Sequence, residues 1–208
     1  MSITGLLAAS FSSLFSVANP TAVMPLFLSL TADYSAAERN TTAKKTCIYM
    51  FLTLTVFLLA GTAILSFFGI SLSGIRIAGG LIIMRAALSM LNPDKAGRKL
   101  TDEDEAEAMN KDDITFSPLA MPMLSGPGSI AVVIGFATQA RGMTDYIVHS
   151  LSIALVVLIA YIVLRLSPVI MKYMGTTGMN IMTRMMGFIA LAISVQFILS
   201  GITLYFGI

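Results

Sequence analysis

Two short motifs, Asn19-Pro20-Thr21 and Ser125-Gly126-Pro127-Gly128-Ser129, set a helix-capping residue and a proline inside otherwise apolar sequence. Asn and Gly both serve as N-caps, and Pro suits the first helical position because its missing N–H would be unpaired there anyway. Helices that begin at Pro20 and Pro127 present free backbone N–H groups and the positive end of a helix dipole. Two such starts turned towards each other make an anion site without a cation. That matters in hydrocarbon, where a Lys or Arg costs about 3 kcal/mol. The predicted substrate-binding residues are therefore Asn19, Pro20, Thr21, Ser125, Gly126, Pro127, Gly128 and Ser129, with Gly128 letting a ligand approach the backbone. Ser16, Ala18 and Ala22 are short neighbours that leave room for a small solute. A carboxylate with a modest remainder, such as a small neutral amino acid, fits that room.

The elements that must hold these motifs are membrane helices. Met1 to Ala32 carries no charged side chain, the hydrophobic fraction is 56%, mean hydropathy is +0.86 and only 12% of residues are charged. A soluble domain would be about one quarter charged. An all-α membrane protein of six transmembrane helices follows. The expected spans are 3–30, 47–68, 75–91, 114–138, 146–171 and 185–206, with the first and fourth broken at the two motifs. Thr31 to Lys45 reads as a polar connection, and Asp94 to Asp113 as a charged, solvated linker. That gives a first three-helix repeat at 1–92, a cytoplasmic linker at 93–113 and a second repeat at 114–208.

Charge sets the orientation. Arg39, Lys44, Lys45, Lys95, Arg98, Lys99, Lys111, Lys172 and Arg184 fall on one side, whereas Arg76 and Arg141 alone fall on the other. Both termini are therefore expected outside. Three spans that start outside and three that start inside can be related only by inversion. Asn19-Pro20 recurs as Gly126-Pro127, and Arg76-Ile-Ala-Gly79 as Arg184-Met-Met-Gly187, at nearly one spacing and in the same order. Interrupted apolar segments at matching places in two inverted halves are the sequence mark of a transporter site.

Other residues carry less. Arg85, near the middle of the third span, either snorkels to the interface or faces a cavity; with Ser16 and Gln196 it is a secondary substrate candidate. Gln196 otherwise reads as a helix bridge. His149 lies near the outer end of the fifth span and reads as an interfacial polar residue, with titration near neutrality as the alternative. Pro25, Pro118 and Pro122 read as kinks. Gly79, Gly80, Ala86 and Ala87 in span three, and Gly187, Ala190 and Ser194 in span six, suit close helix contact. One cysteine, Cys47, and one histidine imply no metal site, no cofactor and no intramolecular disulfide. No hydrolase or metalloprotease motif is present, so no enzyme is expected. A net charge of +2 gives no nucleic-acid surface.

The Asn19-Pro20 segment, Arg76-Ile-Ala-Gly79-Gly80 and above all Pro118-Leu-Ala-Met-Pro-Met-Leu-Ser-Gly-Pro-Gly128 resemble the MarC family (UPF0056-type), over essentially the whole chain. That family consists of bacterial inner-membrane proteins grouped with LysE-type amino acid exporters. The resemblance implies a six-span fold with a 3+3 repeat, and transport of small neutral amino acids. The function expected is a secondary transporter exporting or exchanging alanine- or glycine-like amino acids by alternating access. Its partners would be that solute and the bilayer, and a homo-oligomer is compatible with it. The rival readings are a broad-specificity efflux carrier and a non-transporting membrane assembly or sensory subunit.

Overall fold

Helix α1 (Ile3–Ala18) starts where the Ser2 hydroxyl accepts the Gly5 N–H at 3.2 Å, and it stops at Asn19. The computed structural model describes residues 2–91 and 115–207, and among these no strand occurs. Helix α2 (Pro20–Leu30) continues directly, and α3 (Ala36–Phe68) follows a short turn. Helix α4 (Leu72–Leu91) completes the first half. The second half opens with a π-helical segment, Thr115–Leu124, and continues as α5 (Pro127–Gln139). One helical run from Met143 to Phe206 is interrupted at Gly175, whose φ is 63° and ψ −177°. It therefore forms two spans, α6 (Met143–Gly175) and α7 (Asn180–Phe206). The charged linker expected at 93–113 lies outside the described residues.

Among the described residues, five helical stretches are long and apolar enough to cross a membrane: Ile3–Met24, Ala36–Phe68, Leu72–Leu91, Met143–Gly175 and Asn180–Phe206. The expected fourth span is instead a π-helical piece and a short apolar helix on either side of Ser125-Gly126. A second difference concerns Thr31 to Lys45. The polar connection ends at Ser35, which forms a capping box with Glu38: its hydroxyl accepts the Glu38 N–H at 3.3 Å, and Glu38 Oε2 accepts the Ser35 N–H at 2.8 Å. Two mutual caps start α3 a dozen residues before its apolar part. The expected loop around Lys172 to Arg184 shrinks to the break at Gly175 for the same kind of reason, since left-handed φ suits glycine.

Each long helix divides lengthwise. On α3, Met50, Leu54, Leu58 and Leu65 are buried, whereas Ile48, Leu52, Val56 and Leu59 are exposed. On α6, Ile153, Val156, Ala160 and Leu164 face inward, and Leu151, Leu158, Ile162 and Leu166 outward. An apolar outer face as wide as the inner one has no use in water and is what acyl chains require.

Glycines fix how closely α4 and α7 approach. A Cβ on Gly80 would lie 2.9 Å from the Ser194 carbonyl oxygen, and one on Gly201 2.9 Å from that of Ser73. One on Gly187 would meet Met90 Cβ at 2.9 Å and the Ala87 carbonyl oxygen at 3.2 Å. The two helices thus run antiparallel, backbone to backbone, the geometry that small residues permit in lipid. Gly79 serves another partner, its Cβ position lying 3.0 Å from Ala131 on α5, and Ala86 is exposed.

Candidate functional site

The first break is built from a side chain. Asn19 adopts φ 40°, ψ 64°, and is the one non-glycine residue with positive φ among those described. Asn tolerates that region better than other residues with a Cβ, where the cost is about 1–2 kcal/mol. Its N–H still closes α1 on the Phe15 carbonyl at 2.9 Å, while its own carbonyl takes the Ala22 N–H at 3.0 Å. The Thr21 hydroxyl donates to Asn19 Oδ1 at 2.9 Å, which leaves the Asn19 carboxamide nitrogen as the free, donating end. Pro20 and Pro25 have no N–H to give to the carbonyls of Ser16 and Thr21 four residues back.

The second break is built from backbone. Gly126 is extended, at φ −66° and ψ 176°, and caps α5 without any side-chain bond, with Pro127 in the first turn. The π-helical register brings the Ser125 N–H to the Ala120 carbonyl, five residues back, at 2.8 Å. Pro118 and Pro122 lie within that segment, and because neither can donate, the tighter α register is incomplete there. The hydroxyls of the motif turn inward too: Ser125 Oγ donates to Ala120 O at 2.7 Å and Ser129 Oγ to Leu124 O at 3.0 Å. Each has then given its one proton and presents lone pairs only.

The fold brings the two breaks together. A Cβ on Gly128 would stand 3.0 Å from Val17 Cγ1, two residues before Asn19, and 2.6 Å from Ile83 Cγ1 on α4. Farther along the same pair of helices, Ser10 of α1 bonds His149, which stacks on Phe136 of α5. So α1 and α5 run antiparallel on one side of the breaks, and α2 packs on the π-helical segment on the other. Pro20, Ser125, Gly126, Gly128 and Ser129 are buried there, and Ser16, Asn19 and Thr21 are half-buried. Pro127 is exposed.

One expectation needs correction, at His149, and three other predicted residues gain a structural setting. Gly128 is required by Ile83 and Val17, so its missing side chain serves helix packing before any ligand. His149 is no interfacial residue; it is 3% exposed and bonded through Nδ1 to Ser10 Oγ at 2.9 Å. Arg85 and Gln196 are both exposed, and neither joins the buried residues around the breaks. Sequence reasoning missed Val17, Ile83, Ser10 and Phe136. Apolar residues and a lone serine in apolar runs carry no signal of which partner they will meet.

Apolar spans, glycine-tight contacts and two helices broken inside the bundle define a polytopic helical membrane protein with irregular backbone held away from lipid. The chain belongs to the MarC family of integral membrane proteins, whose family model matches residues 5–206. It is 40% identical to a UPF0056 membrane protein of Methanocaldococcus jannaschii over 193 residues, 93% of this chain and 94% of that one. It is 37% identical to the UPF0056 inner membrane protein MarC of Escherichia coli over 202 residues, covering 91% and 90%. The UPF0056 membrane protein YvbG of Bacillus subtilis is 36% identical, covering 92% of each chain. No solved structure matches.

Proposed function

We propose that the chain is a secondary transporter of small neutral amino acids, alanine- or glycine-like, and that solute binds between the Asn19 and Gly126 breaks. The observation that carries this is the meeting of two helix starts inside the bundle, with Gly128 against Val17. In this reading the first-turn amides of α2 and α5 and the Asn19 carboxamide receive the solute carboxylate. The turned hydroxyls of Ser125 and Ser129, and the carbonyls that Pro20 and Pro25 leave without donors, receive its ammonium group. Donors and acceptors in one small space match a zwitterion better than a simple anion. A broad-specificity efflux carrier would want a large aromatic pocket, and the residues around the breaks are small.

The working arrangement is six crossings in two inverted three-helix repeats, the π-helical segment and α5 together making the fourth. The halves rock about the breaks, with both termini outside an inner membrane. The chain acts as a carrier rather than an enzyme. Purified protein in liposomes should exchange labelled alanine or glycine across the bilayer, and Asn19→Asp should lower exchange about a hundredfold while the protein stays folded. A carboxylate at 19 keeps an acceptor for the Thr21 hydroxyl but faces the substrate with like charge. Wild-type protein that exchanges neither solute would leave the assembly or sensory reading standing instead.

A further inference from the structure

The geometry points to a proton-binding latch at His149, which holds α1 and the C-terminal end of α5 together when neutral and lets them part when protonated. The inference deepens the transport reading, on which its place in the cycle rests. The chain has a single histidine, and it is buried where three helices meet: it lies on α6, bonds Ser10 of α1 at 2.9 Å, and stacks on Phe136 of α5 at 4.7 Å and 9° between planes. Ser10 lies nine residues before Asn19, about 13–14 Å along the helix axis, so the latch sits on the side of the breaks assigned to the outside.

Either protonation state can keep the Ser10 bond, because a hydroxyl both donates and accepts. What changes is the charge. No charged residue occurs on α1 or α5, the two elements packed against the ring. Asp145, one turn earlier on α6, has Oδ2 engaged with the Arg141 N–H at 2.8 Å. Arg76 of α4 approaches α5 at Gly135, its Nη2 3.8 Å from the Cβ position of that residue, and offers the ring a like charge if anything. The Phe136 face and the nearby charge of Asp145 offer a cation some support, but among the described residues no carboxylate bonds the ring. A buried imidazolium therefore gains more from water than from its neighbours. Protonation thus favours the arrangement in which α1 leaves α5 and α6, opening this end of the bundle. Histidine is the side chain whose ordinary titration falls in the range where such a change is usable.

Three measurements test this. With nitrogen-labelled histidine in lipid nanodiscs, the only imidazole of the chain should pass from neutral to cationic between about pH 8 and pH 5. Over the same range, amide hydrogen exchange in residues 3–18 should rise, after correction for the intrinsic pH dependence of exchange. A ring that stays neutral down to pH 5, or a titration with no change in α1, overturns the latch. In proteoliposomes, alanine exchange should change about fivefold or more as external pH falls from 8 to 5.5, and H149Q should be flat within about twofold. A flat wild type, or an unchanged pH profile in H149Q, also overturns it. Wild-type protein that exchanges no alanine at any pH removes the transport reading and leaves the nanodisc measurement to decide the latch, as it also does if H149Q fails to fold.

Discussion

The two breaks solve one problem with different parts. At Asn19 a single residue carries the irregularity: a left-handed backbone, a carboxamide fixed by Thr21, and ordinary helix on both sides. At Gly126 the irregularity is spread over the π-helical segment Thr115–Leu124, and the cap itself is an unstrained extended glycine with no side-chain bond. The first break therefore concentrates its chemistry in one replaceable side chain, while the second distributes it over backbone and the backbone-bonded hydroxyls of Ser125 and Ser129. Substitutions near the second should register as folding defects, and those near the first as loss of function.

The largest effect is expected at Gly128. Gly128→Leu must displace both Ile83 and Val17, since even a Cβ would lie 2.6 Å from Ile83 Cγ1, so folded protein should be lost. Gly128→Ala is milder, costing about 1–3 kcal/mol by overpacking. The double variant Gly128→Ala, Ile83→Ala should recover thermal stability in detergent if the clash with Ile83 is the cause. No recovery would mean that Val17 or the backbone sets the limit.

Next comes Asn19, where function and fold separate. Asn19→Ala loses the αL tolerance and the bond from the Thr21 hydroxyl, costing about 1–2 kcal/mol. Asn19→Gly keeps the backbone conformation and should cost only a few tenths of a kcal/mol. If the carboxamide contacts the solute, both variants lose about tenfold or more in alanine exchange despite unequal stability. Exchange that follows stability instead, with Asn19→Gly near wild type, would reduce Asn19 to a hinge.

The same contrast explains what could be read from sequence. Asn-Pro and Gly-Pro-Gly in charge-free sequence announce helix starts, because capping and proline chemistry act within a few residues. The helical fold, the membrane class and both breaks were visible for that reason. Local rules also mislead at the edges: Thr31 to Lys45 is polar enough to be a loop, yet Ser35 and Glu38 cap a helix there. Long-range pairing leaves no such mark. Nothing in an apolar run says that Ser10 will meet His149, 139 residues away, or that Gly128 will pack against Ile83.

A smaller effect is expected at the far end of α2. Arg39 donates to the Thr31 carbonyl at 2.7 Å and the Tyr34 carbonyl at 3.3 Å through Nη2, and to Thr31 Oγ1 at 3.2 Å through Nε. A cation on the last carbonyls of a helix stabilises by about 1 kcal/mol. Arg39→Met should lower thermal stability by that order, and Arg39→Lys should restore only part of it because one ammonium cannot span the fork.

Thr21 gives the smallest and most discriminating change. Its hydroxyl touches Asn19 Oδ1 and fixes which end of the carboxamide faces the space between the breaks. Thr21→Val keeps shape and burial but frees the amide to rotate, so about half its orientations would present oxygen to the solute carboxylate. A twofold loss of the correct orientation predicts about a twofold fall in alanine affinity, roughly 0.4 kcal/mol. Thr21→Ser restores the hydroxyl and should restore binding without restoring the methyl. A merely structural threonine would show the opposite order, with Val tolerated and Ser impaired, because the methyl rather than the hydroxyl would then be the part that packs. The ratio of the two variants therefore tells whether the first break positions a recognition group or only bends a helix.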